Sequence, residues 1–483
     1  MLLEQTFTAV YLAVLLVLAL YGFHRTALVY LYYRYRDRRP QPERRFDELP
    51  VVTVQLPLFN EMYVAPRLID AVAAIHYPHD RLEIQVLDDS TDETQGIVLA
   101  KVEELRARGL DVQYIHRADR TGYKAGALAA GLRRARGEYL LVFDADFVPR
   151  PEILEETIHF FTDPGVGMVQ VRWGHLNRNY SALTEAQALM LDGHFVIEHT
   201  ARNRSGRFFN FNGTGGIWRR CAIADAGGWQ HDTLTEDLDL SYRAQLRGWR
   251  FVYMPDVVAP AEVPAEMNSF KSQQYRWAKG SIQTARKLLP SIFRSKLPWT
   301  VKVEAFFHLT NNVAYPLLLL LSILLLPNLL MRTRHGWREV MMIDLPLFFG
   351  TTISMASFYI ASQREIDPHG WRRALKRLPI VLSLGIGLCI NQSRAVIEAL
   401  LGHDTEFIRT PKHGIMDRVE RWTTRRYRAA RTAVPLVEVL MAAYFAATVV
   451  VATHAGHYLS LPFLLLFLAG YSYVGVLSLH QAR

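Results

Sequence analysis

Apolar positions gather toward the two ends of the chain and leave a polar block between them. Val10–Leu20 is apolar throughout, and apolar runs return from about Phe306 onward. A helix needs about 20 apolar residues to cross a bilayer. Ala305–Leu330, Val340–Ile360, Thr432–Ala452 and His457–Leu479 approach or meet that length. Leu378–Asn391, with about 14 residues, is short for a span and suits an interfacial or re-entrant segment; an amphipathic Ala395–Leu401 follows it. From about Leu49 to Pro290 the pattern changes. Val51–Leu56, Glu83–Asp88, Gln113–His116 and Tyr139–Phe143 read as strands that end in polar residues, and Pro66–Ala74 and Gln95–Arg108 as helices between them. Such alternation predicts a mostly parallel sheet with helices on both faces. Ligands of such sheets bind beyond the carboxyl ends of the strands, which is where Asp88 and Asp144 fall.

Charge changes the picture only at the membrane. The net charge is +9, with basic residues clustered at Arg34–Arg45, Arg372–Arg377 and Arg418–Arg431, all beside apolar segments. They read as cytoplasmic flanks and as contacts to anionic membrane lipids. The polar block carries no basic stripe with interleaved aromatics, so no nucleic-acid partner is expected. The first apolar block is followed by His24 and Arg25 rather than by a small-residue cleavage site, which favours an anchor over a signal peptide. Cys221 and Cys389 stand far apart and offer no disulfide framework.

These patterns predict an integral membrane protein, in a bacterial inner membrane or its equivalent, with a cytoplasmic catalytic domain and five or six spans. The expected divisions are a transmembrane segment at 1–33, a basic linker at 34–48 and a catalytic domain at 49–297. A membrane region at 298–402, a cytoplasmic loop and basic segment at 403–431 and a transmembrane hairpin at 432–483 follow. If Leu378–Asn391 does not cross, Phe407–Arg431 stays cytoplasmic, as its basic residues prefer. Arg332, Arg334 and Arg338, in the loop expected outside, count against that arrangement.

Four stretches carry candidate chemistry. Asp144-Ala145-Asp146 closes a strand, and two carboxylates one residue apart can hold a divalent ion that also bridges phosphate oxygens; an acidic surface turn is the plain alternative. Asp88 and Asp89, with Ser90 and Asp92, suit recognition of a base and ribose, although a helix cap near Thr94 would account for one of these acids. Glu61, after the first strand, suits the nucleoside or a helix start. Thr235-Glu236-Asp237 opens a helical segment; a carboxylate in a desolvated cleft can act as general base, while a capping box would explain the same residues. Gln273-x-x-Arg276-Trp277 lies on a helix, where Arg276 can reach a diphosphate and Trp277 offers a sugar a flat face. An ordinary amphipathic helix is the alternative there.

In this order and with these neighbours, the motifs resemble the processive branch of family 2 glycosyltransferases, which includes cellulose, hyaluronan and chitin synthases. The text around Glu236–Tyr253 and Gln273–Gly280 is most similar to the cellulose-synthase-like A group of mannan and glucomannan synthases. The resemblance covers roughly Val51 to Gly414. It implies a GT-A-type α/β catalytic domain inserted between transmembrane helices. It also implies Asp237 as catalytic base beside Glu236, and donor contacts from Glu61, Asp88, Asp89, Lys124, Asp144, Asp146, Gln273 and Arg276. Asp144 and Asp146 would bind Mg2+ or Mn2+, and Trp277, Gly213 and Thr214 would meet the acceptor. Phe407–Lys412 resembles the gating loop that closes over the nucleotide in cellulose synthase, with Thr410 and Lys412 reaching the diphosphate. Arg409 and Pro411 depart from that pattern, as does Ser90, where many members carry glycine.

The expected function is transfer of a sugar from UDP-glucose or GDP-mannose, with inversion, to a growing polysaccharide that is exported as it grows, with or without accessory export subunits. The alternative is a non-processive enzyme that adds one sugar to a lipid such as ceramide or diacylglycerol. A non-catalytic membrane scaffold is a third class, and the presence of both Asp146 and Asp237 argues against it.

Overall fold

Alternating side-chain direction along β1 (Val52–Leu58), buried on both sides, sets the two faces of the sheet. Val52, Val54, Leu56 and Leu58 pack into one core, while Thr53 and Gln55 face the other way, fully buried, and pair with β2 (Leu82–Asp88) through Glu83 and Gln85. Buried polar groups of this kind are tolerated because they are hydrogen-bonded. The computed structural model describes residues 2–335, 338–416, 420, 422–427 and 432–481, so much of the basic run Arg418–Arg431 lies outside the described residues.

The other strands are β3 (Asp111–His116), β4 (Tyr139–Val142), β5 (Val166–His175), β6 (Gly216–Arg219) and β7 (Arg250–Ala261). They form one seven-stranded sheet in the order β3-β2-β1-β4-β6-β5-β7. β1, β2, β3 and β4 pair in parallel and β5 pairs in parallel with β7. β1 runs on through Pro57, where a strand end was expected, because Pro57 and Leu58 keep register with Leu87 and Asp88. β6 is antiparallel to both neighbours. That reversal matters for the site: Val142 at the end of β4 pairs with Gly216 at the start of β6, so the loop before β6 is delivered beside Asp144.

Among the described residues, four helices are long and apolar enough to cross a membrane: Glu4–Tyr35, Trp299–Met331, Val434–His454 and Tyr458–Gln481. Many of their large apolar side chains are exposed, among them Leu16, Leu20, Leu440, Val450, Leu465 and Val476, as a lipid-facing surface requires. The helix Arg338–Ile366 packs along the first helix. Leu378–Gly387 and Cys389–Leu401 are two apolar helices bent by 44° at Leu388, the geometry of a broken span or a re-entrant segment. Several membrane-segment ends meet the catalytic domain or its flanks. Lys271 pairs with Glu438 at 2.6 Å, Asn268 donates to the Ser478 carbonyl at 3.0 Å, and Arg286 donates to the Ala399 carbonyl.

Candidate active site

The reversed strand β6 and the end of β4 build one wall. Thr214 Oγ1 accepts from the Asp144 backbone N–H at 2.9 Å, and Lys124, from the helix Tyr123–Arg134, donates to Asp144 Oδ1 at 2.5 Å and to the Gly213 carbonyl at 2.8 Å. Gly213 has φ of +82°, and a Cβ there would stand 3.0 Å from Asp237 Oδ2 and 3.3 Å from Lys124 Nζ. Both the backbone conformation and the crowding call for glycine.

Asp237 lies in the first turn of the helix Glu236–Leu246. The capping-box alternative fails, since Thr235 makes no side-chain cap bond. The acids are positioned instead by the long helix Met267–Arg294, which carries Gln273, Arg276 and Trp277. Gly280 on that helix abuts Thr235, and a Cβ there would lie 2.5 Å from the threonine methyl. A glycine three residues beyond the tryptophan thus lets the two motif-bearing helices touch.

The third wall is the segment Phe407–Lys412. Phe407 stacks on Tyr123 with ring centroids 5.6 Å apart and lies 4.5 Å beneath the Arg276 guanidinium. Arg276 Nη2 donates to Thr410 Oγ1 at 2.8 Å. Lys412 Nζ donates to Asp146 Oδ2 at 2.7 Å and to the Glu262 carbonyl at 3.0 Å. Arg409, one of the departures noted in the sequence, pairs with Glu61 at 2.7 Å. Farther along, Arg409 lies over the Tyr427 ring, Tyr427 donates to Asp92, and Arg426 pairs with Glu93 at 2.6 Å. The segment is therefore strapped across the carboxyl edge of the sheet.

Together these walls enclose a cavity of about 190 Å³. It is lined by Glu61, Asp89, Lys124, Asp144, Asp146, Gly213, Glu236, Asp237, Gln273, Arg276, Trp277, Thr410 and Lys412. Asp88 and Thr214 are not among its lining residues. Asp88 is fully buried behind it, accepting from the Ser90 backbone N–H and from the Tyr114 hydroxyl, while Thr214 braces Asp144. Asp89 accepts two hydrogen bonds from Arg117. Sequence reasoning missed Arg120, whose guanidinium stacks 3.4 Å over the Phe59 ring at the cavity edge. It also missed Glu262, which receives the backbone N–H groups of His413 and Gly414. No local pattern marks either residue, because each acts on a segment distant in the chain.

Burial dominates the electrostatics. It pushes Asp237 up to about 7, with the neighbouring Glu236 charge adding and Lys124 opposing. Glu236 is also raised by burial, against the pull of Lys124. Glu61 is pushed up to about 7 by burial despite Arg409, and burial lowers Arg276 to about 10. For Lys124, burial acts downward, but Asp144, Glu236 and Asp237 outweigh it and the ammonium is stabilised. The chemistry on offer is a carboxylate poised near neutral pH beside a set of cations facing two further carboxylates.

Those two carboxylates fit a divalent cation. Mg2+ and Mn2+ are commonly held by one or two carboxylates plus substrate phosphates rather than by an all-protein cage. Asp144 and Asp146 both open on the cavity, and among the described residues no group of three or more acids, histidines or cysteines completes a cage. Each carboxylate is neutralised here by a lysine, Lys124 or Lys412, so a positive partner is already part of each position.

A second cavity, of about 510 Å³, runs from Asp237, Gln273 and Trp277 into the membrane helices, between residues such as Leu18, Leu321, Phe348, Phe358 and Phe467. Trp277 lines both cavities.

Comparison with known proteins agrees with this architecture. Residues 50–280 match the family model described as "Glycosyltransferase like family 2". The chain is 42% identical over 281 residues to Glucomannan 4-beta-mannosyltransferase 2 of Arabidopsis thaliana, covering 56% of this chain and 53% of that one. It is also 42% identical over 260 residues to Glucomannan 4-beta-mannosyltransferase 1 of Oryza sativa subsp. japonica, covering 53% and 50%. The chain spans about half the length of these curated relatives. Among solved structures, the mannosyltransferase PcManGT of Pyrobaculum calidifontis, determined in complex with GDP-Man and Mn2+, matches with a TM-score of 0.52 at 22% identity. That match covers 74% of this chain and 99% of that one, a likeness of fold. The domain built around Asp144, Asp237 and Arg276 is thus the part of the chain that matches the glycosyltransferase family 2 model, and over about half its length the chain is similar to glucomannan mannosyltransferases.

Proposed function

We propose that the protein transfers a hexose from a nucleotide sugar, with inversion, to the growing end of a β-linked polysaccharide at a membrane. The observation that carries this reading is the meeting of a charged cavity and a membrane cavity at Asp237, Gln273 and Trp277. The acceptor hydroxyl gives its proton to Asp237, and its oxygen attacks the anomeric carbon from the face opposite the diphosphate. The bond from that carbon to the diphosphate oxygen breaks, and the electron pair leaves with the nucleoside diphosphate. Arg276, Lys124 and Lys412 neutralise the charge released. Asp144 and Asp146 would hold Mg2+ or Mn2+, which when bound supplies further positive charge against the diphosphate. Trp277 offers its face to the terminal acceptor sugar, and the segment Phe407–Lys412 keeps water from the donor.

GDP-mannose is favoured over UDP-glucose because relatives at 42% identity are glucomannan 4-beta-mannosyltransferases. A second reading, one sugar added to a lipid, draws support from the apolar walls of the membrane cavity. Purified protein given each labelled donor separates the readings. The polysaccharide reading expects long products that a β-mannanase degrades, whereas a single glycolipid product overturns it. Release of nucleotide from UDP-glucose but not from GDP-mannose overturns the donor assignment.

A further inference from the structure

The polar groups facing the membrane cavity form a directed chain of hydrogen bonds that the transfer chemistry does not use. It starts in the stretch Gly193–His199, which is wound as a π-helix; such widened turns recur at functional sites. Glu198 there is buried and forms ion pairs with Arg25 of the first helix and with Arg202. Its Oε2 lies 3.0 Å from His194 Nδ1. A carboxylate can only accept, so Nδ1 carries the proton. Burial, with the nearby His199, Arg202 and Arg25, holds His194 well below the ordinary histidine range. The ring is therefore neutral and its Nε2 is an acceptor.

Asn212 Nδ2 stands 3.0 Å from that Nε2 and donates to it. Asn212 Oδ1 then accepts from His199 Nε2 at 2.5 Å. One carboxylate thus fixes the orientation of the Asn212 amide through His194. The Asn212 backbone N–H is held by Gln170 Oε1 at 3.1 Å, and the adjoining Gly213 carbonyl holds Lys124. Asn212 lines both cavities, His194 lines the membrane one, and the second hydrogen of the Asn212 amide has no acceptor among the described residues.

We propose that Glu198, His194 and Asn212 form a positioning relay that presents the Asn212 amide as a hydrogen-bond donor to a hydroxyl of the acceptor sugar where the two cavities meet. The inference rests on the sugar-acceptor reading above. His194 acts through Asn212 and is a positioning residue, while Asn212 reads the acceptor. The donor-site residues Asp144, Asp146 and Arg276 line the charged cavity and not the membrane one.

The test uses the full-length protein in detergent, with nucleotide release followed against β-linked manno- and gluco-oligosaccharide acceptors. His194→Phe keeps the ring volume but removes the acceptor nitrogen. Asn212→Asp keeps the shape but removes the donor. Each is expected to raise the acceptor KM about tenfold, the loss of one hydrogen bond, while the donor KM moves less than about twofold. His194→Gln, whose amide can still bridge Glu198 and Asn212, is expected to recover part of the acceptor KM. Equal rises in both constants, or no rise in either, overturn the relay. If one variant fails to fold, judged by its melting temperature in detergent, the other decides. Wild-type protein that uses none of these acceptors instead overturns the sugar-acceptor reading itself.

Discussion

Asp237 concentrates the chemistry because burial, with the neighbouring Glu236 charge, brings its carboxyl to the range where it can accept a proton and still be about half ionised at neutral pH. With its pKa pushed up to about 7, the carboxyl is protonated and inactive as a base below that pH and ionised above it. The acceptor kcat/KM should therefore rise about tenfold per pH unit below pH 7 and level off above it, since that parameter reports groups of the free enzyme. Glu61 titrates in the same range, so the assignment needs a control. Glu61→Gln should keep the acid limb, whereas a limb that disappears in Glu61→Gln would move the titration from Asp237 to Glu61. Asp237→Asn should lower transfer by about 10²–10⁴-fold, the usual contribution of a general base, with nucleotide binding retained by calorimetry. Full transfer in that variant removes Asp237 from the base role.

Among the elements, the segment Phe407–Lys412 is the least regular and the most connected to the site. Its cations each rest on an acid of the catalytic domain: Arg409 on Glu61 and Lys412 on Asp146. A diphosphate arriving in the cavity competes with those acids for the same ammonium. Truncating one member of such a buried charge pair costs about 2 kcal/mol or more, roughly thirtyfold in affinity. Lys412→Met is accordingly expected to weaken donor binding about thirtyfold in titration calorimetry; unchanged donor affinity would mean that Lys412 serves only to hold the segment down. Much of this arrangement was legible in the sequence. The strands that end at Asp88 and Asp144, the helix opened by Thr235 and the helix bearing Gln273, Arg276 and Trp277 all follow from local spacing and polarity. The antiparallel β6, the Arg409–Glu61 pair and the His194–Asn212 contact were not legible, as Arg120 and Glu262 were not. Each joins segments whose meeting depends on how the whole sheet is ordered, and no periodicity or cap encodes that. The roles of Asp88 and Thr214 were hidden for a related reason, since residue type and position at a strand end are the same for a side chain that faces the cavity and for one that braces it from behind.

On the scale of the whole molecule, the bent pair Leu378–Gly387 and Cys389–Leu401 determines where the strap can be. The helix Arg338–Ile366 ends beside the basic flank of the first helix, where Glu365 pairs with Arg36, and Thr410 and Lys412 bond to Arg276 and Asp146. From these contacts we propose that both ends of the bent pair lie on the catalytic side, so that the pair enters the membrane and returns. The following helices agree, since Glu438 near the start of Val434–His454 meets Lys271 and Ser478 near the end of Leu461–Gln481 meets Asn268. A membrane-impermeant thiol reagent can test this without any assay of activity. Cys221 is exposed on the catalytic domain and Cys389 is buried, which makes Cys221 an internal marker for the catalytic side. In a Cys221→Ser background, Asp404→Cys should label from the same side as Cys221 does in the parent protein, and His454→Cys, at the exposed end of the helix Val434–His454, from the opposite side. Labelling of Asp404→Cys from the His454 side would make the bent pair a full crossing, and Lys412 could then not reach Asp146 across the bilayer.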